Sequence, residues 1–266
     1  MVKELLKRFF KSRLGAWTVA AVAAVILVQG KRISDEGSYA HMQEQTVLLR
    51  LPDGQGSGVV VERDNEDGKT RVFVWTANHV VEGHTDVAVV KAIRTEGHRA
   101  GEATFTAKVI GRDKARDLAL LWVDAPAGFF RAAEFAPSDP INVGTPLVLA
   151  GNVLGGRFED SLSLGIMSGI GYTPSHWKLT DQAALAGFFG CSGGPIFRQG
   201  ERDVAGITVG MVPGSGFMQF VPVRVIEEFA NESVLHWAVR GDWCPGDGLL
   251  QGLATREIQI KSFSVN

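Results

Sequence analysis

Short apolar runs rich in Val, Ile, Thr and Phe recur between polar, glycine-containing stretches along most of this chain, the pattern of many strands joined by tight turns. Thr46-Val47-Leu48-Leu49-Arg50-Leu51 reads as a first strand, Asp53 to Gly58 as a turn, and Val59-Val60-Val61 as a second strand. Asn65-Glu66-Asp67-Gly68 carries hairpin residues and leads into Arg71-Val72-Phe73-Val74-Trp75. Runs over 86–92, 104–110 and 118–123 complete a first group, and a stretch holding Pro126, Pro137 and Pro140 reads as a linker. A second group follows at 146–150, 162–170, 194–198, 204–209 and 217–221. Arg224 to Ala230 has helical spacing, with Val225, Ile226 and Phe229 on one face, which predicts a helix packed on the β structure. Many short strands and few helices predict an all-β fold, as paired barrels or a sandwich.

The N-terminus breaks this pattern. Lys3, Lys7, Arg8, Lys11 and Arg13 make residues 1–13 basic, and Leu14 to Val28 then runs without a charge. The run is shorter than the roughly twenty residues a spanning helix prefers, so segment 14–30 reads as a hydrophobic helix, a membrane anchor first, with a signal segment or a buried soluble helix as the other readings. Basic residues ahead of it place the N-terminus in the cytoplasm and the bulk of the chain across the membrane, periplasmic in a bacterium, with a cleaved secreted form as the other outcome. Residues 31–44 form a polar tether. The tail, 231–266, is too short for another domain.

Composition narrows the function. The chain has 266 residues with 27 Lys+Arg against 29 Asp+Glu, and no basic stripe interleaved with aromatics, so nucleic acid is not an expected partner. Two cysteines, Cys191 and Cys244, make no disulfide framework, and no Cys/His spacing suggests a metal; no cofactor is expected.

The chemistry gathers at Phe189-Gly190-Cys191-Ser192-Gly193-Gly194-Pro195-Ile196. A serine between glycines can sit on a tight open turn with backbone N–H groups converging beside it, as acyl transfer requires; a glycine-rich β-turn has the same composition. An activated serine needs a base and the base needs an orienting acid. Of six histidines, His79 alone closes a strand-like run with a small polar approach, Thr76-Ala77-Asn78-His79. Asp117 stands at the mouth of the apolar run 118–123, whereas Asp113, between Arg112 and Lys114, reads as a solvated ion-pair residue. The order His, Asp, Ser differs from the Ser, Asp, His order of α/β-hydrolases.

Thr76-Ala77-Asn78-His79-Val80-Val81-Glu82-Gly83, Arg116-Asp117-Leu118-Ala119-Leu120-Leu121 and Gly190-Cys191-Ser192-Gly193-Gly194-Pro195 together resemble the signature blocks of trypsin-like serine proteases, closest to the HtrA (Deg) branch. Gln55 to Val60 resembles the Gly-Ser-Gly strand of that branch, and Gly151 to Gly156 with Ser168-Gly169-Ile170 resembles the stretch before its substrate cleft. The resemblance implies a protease domain over 45–230 with two six-stranded antiparallel β-barrels of chymotrypsin type, one at about 45–124 and one at about 140–230. It implies a serine endopeptidase acting on protein or peptide substrates through His79, Asp117 and Ser192, with the N–H groups of Gly190 and Ser192 as oxyanion hole. The alternative is an inactive, membrane-tethered binding module. Two features depart from the family: Cys191 stands where Asp or Asn is usual, and the residues after the second barrel are too few for the PDZ domain that the family usually carries, so none is expected. With no acid within 185–189, the expected primary pocket is apolar and suits a small or medium aliphatic side chain.

Overall fold

The computed structural model describes residues 38–96, 98–154, 158–172, 179–212, 214–241 and 243–255. The chain divides into two units, Met1–Ala40 and His41–Asn266; of the first, only 38–40 fall among those described, so the expected hydrophobic helix at 14–30 lies outside them. No helix among the described residues is long and apolar enough to cross a membrane.

The first sheet is built from β1 (Thr46–Arg50), β2 (Gln55–Asn65), β3 (Thr70–Thr76), β4 (Asp86–Thr95), β5 (His98–Asp113) and β6 (Leu118–Val123) in the order β1-β4-β5-β6-β3-β2, and pairing of β1 with β2 closes it into a barrel. Its interior follows the period of two: Val47 and Leu49, Val72 and Val74, Val87 and Val89, Ala119 and Leu121 all point into one buried cluster. The second barrel is closed in the order β10-β11-β12-β9-β8-β7, from β7 (Pro146–Val153), β8 (Phe158–Tyr172), β9 (Thr180–Ala184), β10 (Pro195–Arg198), β11 (Val204–Val212) and β12 (Phe217–Pro222). Leu147, Leu149, Met167, Ile196 and Phe220 fill it. All pairings within each barrel are antiparallel. The fold is all-β, with two closed six-stranded barrels of chymotrypsin-like type.

Three differences from the sequence reading have physical causes. The segment read as a turn at 53–58 is mostly strand, because β2 begins at Gln55. Its glycines serve close approach: a Cβ on Gly58 would strike the Val74 side chain, and one on Gly56 would lie 2.6 Å from Val80 Cγ1 and 3.0 Å from the Ser192 carbonyl. The proline-containing connection is packed rather than loose; Phe130, Phe135 and Ile141 are buried and Phe135 bridges to Val204. β9, Thr-Asp-Gln-Ala-Ala, has no β-branched apolar run and is a strand because β8 and β12 pair with it on both sides.

The C-terminal region covers the outside of the first barrel. Helix α1 (Val223–Glu232) buries Val225, Ile226 and Phe229, and short helix α2 (Trp237–Arg240) follows. Phe229 and Trp237 meet the outer face of β3, with ring centroids 5.9 Å from Trp75 and 4.8 Å from Phe73. β3 is therefore buried on both faces, which accounts for its apolar residues at successive positions. Beyond it, β13 (Trp243–Cys244) pairs in parallel with β2, and α3 (Asp247–Ala254) is tied to β3 by a bidentate Arg71–Asp247 pair at 2.6 and 2.8 Å.

Candidate active site

His79 lies on a single 3₁₀ turn, Asn78–Val80, directly after β3. Asp117 directly precedes β6, the strand paired with β3, so the ladder brings the two ends together. Asp117 Oδ2 is 2.6 Å from His79 Nδ1, and Oδ1 accepts the His79 backbone N–H at 2.8 Å. A carboxylate only accepts, so in the neutral tautomer that fits this contact Nδ1 carries the proton and Nε2 keeps its lone pair. The Asp117 side chain is 3% exposed and that of His79 42%, which seats the acid in the protein and leaves the imidazole open to a ligand. Asp117 adopts φ +57°, a strained conformation for a residue with a Cβ. Neighbouring bonds hold it there: its carbonyl accepts the Asn78 N–H at 3.1 Å, and Arg116 before it is anchored to Asp113 at 2.6 Å and Glu232 at 2.8 Å.

Asp113 is a correction to the sequence reading. It is buried rather than solvated, and its partner is Arg116 rather than the flanking Arg112 or Lys114. It also accepts the N–H groups of Ala115 and Arg116, capping the turn that delivers Asp117.

Ser192 comes from the second barrel, between β9 and β10, half-buried on a turn whose glycines take positive φ: Gly190 at +99° and Gly193 at +84°. A Cβ on Gly193 would collide with the Ser57 carbonyl and the Thr76 hydroxyl and lie 3.1 Å from the Ala77 nitrogen, so the serine turn packs onto the strand end that carries His79. Gly56 fills the space between the Ser192 carbonyl and Val80, the residue after His79. Among the described residues Ser192 Oγ and His79 Nε2 make no hydrogen bond. β11 braces the turn, since Gly193 N–H donates to Thr208 O at 2.7 Å and Thr208 N–H to Gly194 O at 2.9 Å. The Thr208 hydroxyl is buried without a partner among the described residues.

The N–H groups of Gly190 and Ser192 likewise take no hydrogen-bond partner among the described residues. Their directions follow from the carbonyls of the same peptide units: Phe189 O accepts Leu154 N–H at 2.8 Å and Cys191 O accepts Gly194 N–H at 2.8 Å. In a trans peptide the N–H points opposite to the carbonyl, so both donors are turned away from these partners. Cys191 sends its side chain into the second barrel's core, is a free thiol, and has its pKa pushed up by burial. A neutral buried thiol is a poor nucleophile.

The remaining histidines have other surroundings. His84 faces Asp53 at 2.8 Å, the His41 ring accepts from Arg131 at 2.8 Å, His98 and His236 are exposed, and His176 lies outside the described residues. Asp181, the nearest acid upstream of the serine turn, is fully buried and held bidentately by Arg224 at 2.6 and 2.8 Å. Met218 is buried against Gly187, and Phe189 stands 77% exposed beside Gly190. The sequence reading assigned no bonding role beside these turns to Ser57, whose hydroxyl donates to Gly190 O, to Asn152, whose N–H donates to Ser57 Oγ, or to Arg116, which pairs with Asp113. The signal for Ser57 was its setting between two glycines, the composition of a close backbone crossing.

A family model described as a trypsin-like peptidase domain matches residues 56–207. Protease Do-like 8, chloroplastic, of Arabidopsis thaliana is 30% identical over 166 residues, covering 58% of this chain and 34% of that protein. Serine protease Do-like HtrA of Bacillus subtilis (strain 168) is 29% identical over 190 residues, covering 67% and 39%. Periplasmic serine endoprotease DegP of Escherichia coli (strain K12) is 26% identical over 191 residues, covering 70% and 37%. The chain thus spans between 34% and 39% of the length of these relatives. Among solved structures, an HtrA-type protease with a tripeptide superposes with TM-score 0.60 at 20% identity, over 76% of this chain and 64% of that one. Rv3671c of M. tuberculosis H37Rv, in an inactive form, gives 0.58 at 20% identity, over 74% and 90%. At that identity the likeness concerns the fold.

Proposed function

The chain belongs to the family of trypsin-like peptidase domains, and from that membership and the site geometry we propose that it is a serine endopeptidase. The observation that carries the reading is the 2.6 Å contact between buried Asp117 and the Nδ1 of half-exposed His79, beside a turn that presents Ser192 between two left-handed glycines. In the proposed cycle His79 Nε2 takes the Ser192 hydroxyl proton as Oγ attacks the peptide carbonyl, and Asp117 stabilises the imidazolium that forms. The Gly190 and Ser192 N–H groups bind the oxyanion; loss of one such donor typically costs about 3–4 kcal/mol of transition-state stabilisation. Protonated His79 gives its proton to the leaving amine, and water, activated by the same imidazole, releases the acyl group from Ser192.

The substrate is a polypeptide cleaved after a small or medium apolar residue. Met218 against Gly187 supports an apolar pocket floor, and the Asp181 carboxylate is already neutralised by Arg224, which argues against a preference for Lys or Arg. A fluorophosphonate probe should label Ser192 in the full chain. Ser192→Ala should lose labelling and at least about 10⁴-fold of casein or peptide cleavage. A folded chain that never labels would leave the competing reading, a binding module without catalysis.

The basic residues ahead of the apolar run at 14–28, and the periplasmic designation of the E. coli relative, support a catalytic domain outside the cytoplasm, with the N-terminal segment as its tether. Alkaline phosphatase fused after Gly30 should be active in a bacterial host. An inactive fusion at normal expression contradicts this placement.

A further inference from the structure

Ser57 is wholly buried on β2 of the first barrel, yet its polar atoms converge on the serine turn of the second. Its N–H donates to Ser192 O at 2.7 Å, and its hydroxyl donates to Gly190 O at 2.6 Å. The same oxygen accepts the Asn152 backbone N–H at 2.8 Å and Asn152 Nδ2 at 3.3 Å. A buried hydroxyl has one proton to give and two lone pairs to fill, and here all three are used.

Asn152 is itself fixed. It sits where the β7–β8 register shifts, between Gly151 and Val153, and its N–H goes to Ser57 instead of a ladder partner. Its side chain donates to Val47 O at 2.9 Å and accepts the Asp160 N–H at 3.1 Å. One residue of the second barrel thus aims a hydroxyl of the first.

Three consecutive peptide units orient the two oxyanion donors. The outer two are pinned through Phe189 O and Cys191 O, as described above. The middle unit, between Gly190 and Cys191, shares a Cα with each, and Gly190 at φ +99° offers little steric resistance to its rotation. Its N–H is held by Phe188 O at 3.1 Å and its carbonyl by Ser57. We propose that Ser57, braced by Asn152, is a positioning residue for catalysis, holding the Gly190–Cys191 peptide so that the Gly190 and Ser192 N–H groups converge on the oxyanion. This rests on the endopeptidase reading above. It also answers the departure at Cys191: the turn is held from the opposite barrel through its backbone rather than through the side chain at that position.

The test compares the full chain with Ser57→Ala on a peptidyl-valine anilide and on the matching peptidyl-valine aldehyde, whose hemiacetal oxygen would occupy the oxyanion site. The expected result is a fall in kcat of about 10- to 100-fold with KM changed by less than about twofold. Affinity for the aldehyde should fall by the same factor as kcat/KM, since only transition-state contacts are lost. A merely structural hydroxyl would lower thermal stability without that matched loss. A folded Ser57→Ala that keeps kcat, or that loses activity through KM alone, overturns the proposal. If Ser57→Ala does not fold, Ser57→Cys, of similar size but a weak donor, is measured in its place, and full kcat with full aldehyde affinity overturns it equally. A parent chain that neither labels with fluorophosphonate nor cleaves casein overturns the endopeptidase reading and this one together, whereas an active parent with an unchanged variant overturns this one alone.

Discussion

At the scale of single residues, the serine turn depends on atoms that are missing. Gly193 combines φ +84° with a position where a Cβ would meet the Ser57 carbonyl and the Thr76 hydroxyl. Left-handed strain for a residue with a Cβ costs about 1–3 kcal/mol, and the carbonyl cannot move without breaking the Thr76 Oγ1 bond it accepts at 2.7 Å. Gly193→Ala should therefore push the serine turn away from the histidine turn. Fluorophosphonate labelling is expected to slow by about 10²-fold or more, the usual scale for misplacing a reacting group by an ångström, while circular dichroism keeps its β signature. Labelling at the parent rate would show that the turn tolerates a Cβ and that its packing against Ala77 is not what sets the geometry.

At the scale of elements, legibility followed local patterning. Strands such as β1, β3 and β6 are visible in the sequence because each is a short run of apolar residues bounded by polar ones. His79 and Asp117 were legible as candidates because one follows and the other precedes such a strand, and Ser192 because glycines flank it. Elements whose existence depends on partners were not. β9 carries only Ala, Gln, Asp and Thr, and β13 is two residues long and needs β2 beside it. The tail resisted reading because its anchors are contributed by the barrel. Trp75 Nε1 donates to Ala238 O at 3.1 Å, and buried Arg63 donates to Trp237 O at 3.0 Å while pairing with Glu134 at 3.2 Å. No local periodicity in residues 237–244 announces those acceptors. Glycine was misread in the same way: Gly56 and Gly58 look like turn residues, but what demands them is the crossing of Val80, Val74 and the Ser192 carbonyl, tens of residues away in sequence.

At the scale of the whole molecule, both barrels are closed, and the candidate residues His79, Asp117 and Ser192 all sit on connections between strands. Both cysteines are buried, Cys191 in the second barrel's core and Cys244 on β13 outside the first, and that gives the stability an alkaline limit. Burial pushes the Cys244 thiol up to about 11 from an ordinary value of 9.0, and burial raises Cys191 as well. Cys244 lies on β13 with its Sγ 3.7 Å from the Arg63 carbonyl, and the Arg71 charge nearby offsets only part of the burial. As pH rises, the unfolded chain releases the Cys244 proton near 9 while the folded chain holds it until about 11. The contribution is thus fully present below 9 and is lost progressively through the interval up to about 11, because deprotonation draws the equilibrium towards the unfolded state. Urea denaturation at about pH 8 and about pH 10.5 should show the parent losing more stability over that interval than Cys244→Ala, which has no proton to release. Equal losses in the two chains would place the alkaline limit elsewhere in the molecule and detach it from the packing of β13 on the first barrel.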